Sequence, residues 1–243
     1  MRSVRTRLGE LDAYVVDALP EGANPELVVV LCHGFGAPPT DLVPLAPELV
    51  ALKPELGPKV RFVFPTAPLK QEMMGQRIPA WFHLPPEVLM GQERDWDEFA
   101  ASTPEGLAQA RRGVMSLVSA LSAATNLPYG RIVLGGFSQG AMVTTDVALR
   151  LEEAPAGLCI LSGALISQDE WKPRAEKRKG LPVLQSHGRV DNILAFQQAE
   201  RLRDLLSNAG LSVEFIPFNG PHTIAPEALE RMAEFLHHRL EKR

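Results

Sequence analysis

The pentapeptide Gly136-Phe137-Ser138-Gln139-Gly140 stands between a short apolar run, Arg131 to Leu134, and a helix-like stretch, Ala141 to Leu151. That placement reads as a tight strand-to-helix elbow. At its apex a serine is driven toward positive φ, and the residues two before and two after it crowd each other unless both lack a Cβ. Glycine fills both positions here. A hydroxyl raised at the end of a parallel strand, with a helix N-terminus beginning beneath it, can attack a carbonyl when a base lies close.

The surrounding pattern supplies the strands and helices that such an elbow needs. Val4 to Leu8 and Leu11 to Leu19 suggest an opening antiparallel pair, and the unbroken apolar run Leu27 to Cys32 reads as a central parallel strand. A helix is expected over Asp41 to Leu52, a strand over Val60 to Phe64, and a long helix over Thr103 to Ala124, with Pro104 in its first turn and Ser102 or Thr103 as cap. Further strands are expected at Gly157 to Leu161, Leu181 to Ser186 and Ser212 to Phe218, with helices at Leu194 to Asn208 and Pro226 to Arg239. This alternation predicts an α/β fold: a mostly parallel sheet covered by helices on both faces, with ligand sites beyond the carboxyl ends of its strands. At 243 residues, without repeats or an evident linker, residues 1–243 read as a single domain, with an irregular, proline-rich segment at about 65–99.

Charge and cysteine usage exclude several classes. A net charge of -4 gives no electrostatic reason to expect nucleic acid or an anionic membrane, and Lys172 to Lys179 reads as a solvated basic loop. Arg2, Arg5 and Arg7 are followed by Glu10, Asp12 and Asp17 before any apolar run of signal length, so neither an export signal nor a membrane span is expected. Cys32 and Cys159 lie inside apolar runs as small buried thiols, which points to the reducing cytoplasm. No cysteine–histidine cluster has metal-binding spacing and no phosphate loop is present, so no cofactor or metal is expected.

A serine hydroxyl is a poor nucleophile at neutral pH and needs an imidazole to take its proton and a carboxylate to orient that imidazole. Asp191 follows the strand at Leu181 and His222 the strand at Ser212, so both are expected on the same rim as Ser138. The order serine, aspartate, histidine is that of the α/β-hydrolase arrangement. His237 and His238 belong to a charged helix, His83 to the irregular segment, and His33 and His187 to strand ends as structural residues; Asp169 and Asp204 lie less well for the acid, and Ser162 lacks paired glycines. An anionic oxygen would be met by the backbone N–H of Gln139 and that of Phe35, in the turn His33-Gly34-Phe35-Gly36. The alternative for that turn is a plain strand-to-helix connection that needs glycine. Between Leu69 and Phe99, Met73, Met74, Met90, Trp81, Phe82, Trp96 and Phe99 either flank an acyl groove, with Trp81, Met73 and Met74 touching substrate, or merely anchor a long loop.

Taken together, these motifs resemble the phospholipase/carboxylesterase family of α/β-hydrolases, which includes acyl-protein thioesterases and small bacterial carboxylesterases. The resemblance spans nearly the whole chain. It is carried by His33-Gly34-Phe35-Gly36, Phe64-Pro65-Thr66-Ala67-Pro68, Trp81-Phe82, Gly135 to Gly140, Leu161-Ser162-Gly163, His187 to Asp191 and Pro221 to Glu227. It implies the same triad, Ser138, Asp191 and His222, and the same amide donors, Phe35 and Gln139. His83, Ala37, Asn192 and Pro221 depart from the family's usual residues and bear on substrate choice more than on reaction type. The function expected is a cytoplasmic serine hydrolase cleaving small carboxylic esters or thioesters through an acyl-enzyme. The alternatives are a peptidase of the same fold and a non-catalytic receptor that keeps the pocket.

Overall fold

The computed structural model describes residues 1–73, 75–89 and 95–242. In chain order its elements are β1 (Arg2–Leu8), β2 (Leu11–Asp17), β3 (Leu27–Cys32), α1 (Leu45–Leu52), β4 (Val60–Pro65), β5 (Leu69–Met73), β6 (Gln76–Ala80), α2 (Pro86–Leu89), α3 (Trp96–Ala101) and α4 (Leu107–Thr125). There follow β7 (Ile132–Phe137), α5 (Gln139–Arg150), β8 (Gly157–Leu161), α6 (Gln168–Ala175), β9 (Pro182–Gly188), α7 (Phe196–Asn208), β10 (Ser212–Phe218) and α8 (Pro226–Glu241). Eight strands make one sheet in the order β1-β2-β4-β3-β7-β8-β9-β10. From β4 across to β10 every neighbouring pair is parallel, and β1 and β2 add an antiparallel edge. The chain leaves β3 toward β4 on one side and returns past it to β7 on the other. A crevice therefore opens between the carboxyl ends of β3 and β7, where open α/β sheets bind their ligands.

Period-2 alternation divides the core into two layers. Val28, Val30 and Cys32 of β3 join Ile132, Leu134, Leu158 and Ile160 beneath the α4–α7 side, whereas Leu27, Val29 and Leu31 face α1 and α8 with Val133, Cys159 and Leu161. Both faces are dry, which is why β3 reads as an unbroken apolar run. Helix α4 meets its layer through one face on which Leu107, Ala110, Val114, Leu117 and Leu121 recur three or four apart, with Val118 beside them, and each fully buried leucine contributes about 1.5–3 kcal/mol.

Several boundaries differ from expectation, each for a tertiary reason. Helix α4 begins at Leu107 rather than Thr103, because the Glu105 carbonyl accepts from the His83 N–H (2.8 Å) and Gly106 takes φ 88°. Turns closed by Asp41 N–H to Pro38 O and Val43 N–H to Thr40 O delay α1 to Leu45. The irregular segment holds the β5–β6 hairpin and two short helices. Residues 168–175 form a helix where a solvated loop was expected for Lys172 onward, because Trp171 is wholly buried and its indole N–H donates to Asp146 Oδ1 (2.9 Å). Asp146, itself wholly buried on α5, also receives Arg111 Nε of α4 (2.5 Å) and Arg150 Nε (2.9 Å), so one carboxylate ties α4, α5 and α6 together. Among the described residues no helix is long and apolar enough to cross a membrane.

Candidate active site

Ser138 lies at the tip of the elbow between β7 and α5 with φ 55° and ψ -119°. Its N–H donates to Leu161 O (2.9 Å), and its carbonyl accepts the Ala141 N–H (3.0 Å) and the Met142 N–H (3.2 Å). A non-glycine residue at such φ costs on the order of 1–3 kcal/mol, so the surroundings must enforce it. They do so by contact. A Cβ at Gly136 would stand 2.5 Å from the Gly140 carbonyl carbon, the crowding expected of the motif. Gly140 is crowded from elsewhere: its Cβ would stand 2.0 Å from Cys32 O and 2.5 Å from His33 O, so α5 begins against the end of β3.

That contact sets the elbow beside the turn after β3. Gly36 holds φ 74° and its N–H donates to Pro79 O (2.9 Å) of β6. His33 stabilises the turn from below: its Nδ1–H donates to Gly34 O (2.8 Å) and its Nε2 accepts the Ala67 N–H (3.2 Å). These two partners specify the neutral Nδ1–H tautomer. Burial lowers the His33 imidazole below its ordinary value, against the opposing pull of the Gly34 carbonyl and Asp41. Neither the Phe35 nor the Gln139 N–H donates a backbone hydrogen bond among the described residues, which leaves both free for an incoming oxygen.

The Gln139 side chain has a part that sequence reasoning missed. Its Oε1 accepts the Trp81 N–H (2.8 Å) and its Nε2 donates to Phe82 O (2.7 Å), while the Trp81 indole donates to His33 O (2.8 Å). The buried Gln139 amide thus fastens the segment after β6 to the elbow, and the Trp81 indole fastens it to the β3 turn. Trp81 is wholly buried in this arrangement and lies outside the cavity wall, so the expected substrate contact is replaced by support of the turn. Phe82 and Phe99 are likewise core, and Trp96 packs edge-on against Phe99 at 5.6 Å. Of the expected substrate contacts, Met73 does reach the cavity; Met74 lies outside the described residues.

Asp191 and His222 come from the ends of β9 and β10, which hydrogen-bond onward past their last paired residues: Arg189 N–H to Phe218 O (2.8 Å) and Val190 N–H to Gly220 O (3.2 Å). Gly188 permits this approach, since a Cβ there would stand 2.3 Å from Gly220 O. His222 Nδ1 lies 2.6 Å from Asp191 Oδ2, and the Asp191 Oδ1 accepts the Ile193 and Leu194 N–H groups, both at 2.9 Å. Burial would push the Asp191 carboxyl up, but the His187 and His222 ring donors and the Leu194 amide outweigh it and hold it well below the usual carboxylate range. The His222 ring rests on Phe137 at 4.8 Å. Ser162, expected as a hydrogen-bonding loop serine, donates from Oγ to Thr223 O (2.9 Å) and so steadies the histidine loop.

Ser138, His222 and Phe35 open into one cavity of about 260 Å³, whose apolar wall is formed by Met73, Leu84, Val88, Met142, Ile193 and Leu194. Ser138 Oγ makes no direct hydrogen bond to His222 among the described residues; the two share the cavity wall, with Asp191 behind the histidine. Such bonds often tighten only when substrate is present.

A parallel sheet with an elbow serine, an acid-backed histidine and free amides gathered at the carboxyl ends of its strands defines an enzyme class, the serine hydrolases of the α/β-hydrolase fold. Within that class the chain belongs to the phospholipase/carboxylesterase family, which it matches over residues 18–240. It is 29% identical over 238 residues to acyl-protein thioesterase 1 of Mycosarcoma maydis, covering 88% of this chain and 92% of that protein. Among solved structures it resembles esterase PE8 (TM-score 0.78, 26% identity, 94% of this chain and 99% of that one). The fold is shared with Zea mays acyl-protein thioesterase 2 (TM-score 0.72, 22% identity, 94% and 98%). The protein is a hydrolase of esters or thioesters.

The elbow contact yields a direct test. Gly140→Ala should lower turnover by at least about a hundredfold, because a displacement near 1 Å at a reacting group has that effect. The Cβ clash is with backbone and cannot be relieved by a rotamer change, so the melting temperature should fall too. Initial rates and thermal denaturation measure both, and parental turnover in this variant would show that the elbow does not depend on the contact.

Proposed function

We propose that Ser138 is the nucleophile, His222 its base and later acid, and Asp191 the carboxylate that orients the imidazole, acting on neutral, apolar acyl esters or thioesters. The observation that carries this reading is the 2.6 Å Asp191–His222 pair, whose histidine lines the same cavity as a serine held at positive φ. Asp191 Oδ2 accepts from Nδ1, which leaves Nε2 to take the hydroxyl proton as Oγ attacks the acyl carbon. The negative oxygen of the tetrahedral intermediate is met by the Phe35 and Gln139 N–H groups, each worth about a hundredfold or more in rate. Collapse expels the alcohol or thiol, protonated by His222, and leaves an acyl-Ser138 ester. Water, deprotonated by the same imidazole, then attacks that ester and releases the carboxylic acid.

The acyl chain would lie along Met73, Leu84, Val88 and Met142, with Trp81 and the Gln139 side chain holding the turn from beneath. Asp41 is the one charged residue among the cavity's described lining apart from the histidine, which disfavours acyl groups that carry an anion. The continuous eight-stranded sheet supports a single domain over residues 1–243. Cys32 and Cys159 are free and buried, and burial raises both thiols, which supports a reducing, cytoplasmic setting.

A series of p-nitrophenyl esters tests the substrate reading, with Ser138→Ala as control. From acetyl upward, kcat/KM should rise about two- to fourfold per added methylene until the groove is filled, since each buried CH₂ contributes about 0.8 kcal/mol. A hemisuccinate should be slower than the neutral ester of equal length. A maximum at acetyl, or a preference for the anionic chain, would refute the apolar groove.

A further inference from the structure

His187 is not used by the mechanism above, yet it touches the carboxylate that orients the base. It is the last residue but one of β9, four residues before Asp191, and is wholly buried. Its Nε2 lies 3.1 Å from Asp191 Oδ2 and 2.8 Å from Leu194 O. The second of these can only accept, and an ionised carboxylate likewise, so the ring hydrogen must be on Nε2, bonded to Leu194 O with the Asp191 Oδ2 carboxylate oxygen beside the same nitrogen. Its Nδ1 is buried with no hydrogen-bond partner among the described residues. An unpartnered ring nitrogen in a dry site is unfavourable, and an apolar side chain of similar size would fill the space without it. What the imidazole adds is the Nε2–H.

We infer that His187 is a positioning residue for the reaction: its Nε2–H stands against Asp191 Oδ2, the same oxygen that meets His222, and draws off part of the charge that Asp191 turns toward His222. The inference rests on the assignment of Asp191 and His222 made above. Four donors then surround the carboxylate, two backbone amides on Oδ1 and two ring nitrogens on Oδ2, so rotation of the carboxylate breaks bonds at both oxygens. Of the ionisable groups set around His187, Asp191 touches it and His222 shares its acceptor. Arg189 lies over the Phe196 ring at 5.2 Å, and that ring is 6.2 Å from the His187 ring.

The sign of the effect follows from the geometry. Without His187 N–H, the charge on Asp191 acts more fully on His222, its protonated form is favoured, and the acid limb of kcat/KM moves to higher pH. Looser aim of the imidazole lowers kcat at the same time.

The test compares His187→Leu, which loses the donor, with His187→Gln, whose side-chain amide can reach the same place, by kcat, KM and the pH profile of ester hydrolysis. His187→Leu should lose about tenfold in kcat with KM changed less than about twofold, and its acid limb should rise by about half a pH unit or more, a size typical of one charge-assisted hydrogen bond. His187→Gln should recover to within about threefold, with its acid limb restored. A limb that stays in place in folded His187→Leu, or a glutamine variant no better than the leucine one, would overturn the inference. If the leucine variant does not fold, ring ¹⁵N shifts of the unaltered protein decide the matter: an Nε2–H tautomer at His187 supports the role and an Nδ1–H tautomer removes it. Asp191→Asn separates the layers of argument. Should it lose about 10⁴ in kcat, as loss of an orienting carboxylate does, failure at His187 refutes this inference alone. Should it keep its rate, the triad reading and this inference fall together.

Discussion

Ser138→Ala should lower kcat for ester hydrolysis by about a million-fold, the scale on which loss of a nucleophile in a serine–histidine–aspartate site acts, and should abolish labelling by a fluorophosphonate. The loss should be chemical and not structural. Alanine keeps the Cβ and therefore the same strain at φ 55°, and the Ser138 hydroxyl makes no hydrogen bond that the fold relies on among the described residues. Stability should thus stay within about 0.5 kcal/mol of the parent. Ser138→Gly sharpens the contrast, because glycine accepts positive φ freely: it should be as inactive and more stable by roughly 1 kcal/mol, the strain released. Three outcomes discriminate among the readings. A labelled parent and an unlabelled alanine variant support the nucleophile; a folded parent that takes no label would favour a receptor that has kept the pocket; turnover of aminopeptidase substrates in preference to p-nitrophenyl esters would favour a peptidase.

The elements that position this site were legible because their signals are local. An apolar run buried on both faces identifies β3, paired glycines identify the elbow, and the placement of Ser138, Asp191 and His222 after β7, β9 and β10 follows from β–α alternation. What was not legible depends on partners distant in the chain. In the hairpin, β5 alternates half-buried and exposed residues, β6 passes from exposed to buried along its length, and neither holds a strong apolar run, so proline content dominates its reading. Helix α6 is polar along most of its length, and its one wholly buried large residue, Trp171, finds its partner 25 residues earlier at Asp146. Trp81 looked like a pocket aromatic because composition cannot tell a wall from its foundation. Its burial is set by Gln139, 58 residues away, whose identity beside the nucleophile suggested a backbone role and concealed the side-chain one. His187 was read as structural from its strand-end position, and only coordinates reveal that its Nε2 meets the Asp191 carboxylate.

Asp146→Leu should destabilise the fold by about 3–5 kcal/mol, as removal of one member of a buried charge cluster does. The carboxylate is wholly buried and receives Arg111, Arg150 and the Trp171 indole, whereas the Arg111 and Arg150 side chains are only 20% and 11% exposed. Leucine would leave two guanidinium groups facing it with little water to turn to, and the indole N–H without its acceptor. Burial alone pulls the Arg150 guanidinium down, and its bonds to Glu170 and Asp146 more than reverse that, which supports a charged, paired state in the folded protein. Glu170 still pairs with Arg150 in the variant, so Arg111 should carry most of the loss. The double change Asp146→Leu with Arg111→Met follows from this reasoning: it should be less destabilised than Asp146→Leu by at least about 1 kcal/mol, since the stranded charge is gone and apolar packing replaces it. Chemical denaturation of the parent, the two single variants and the double variant measures the coupling. Equal and additive losses would show that the carboxylate joins these helices by packing alone, and that the charges are solvated at the surface. Activity of the Asp146→Leu protein under conditions where it remains folded should be near parental, because α5 enters the active site at its other end, through Ser138 and Gln139.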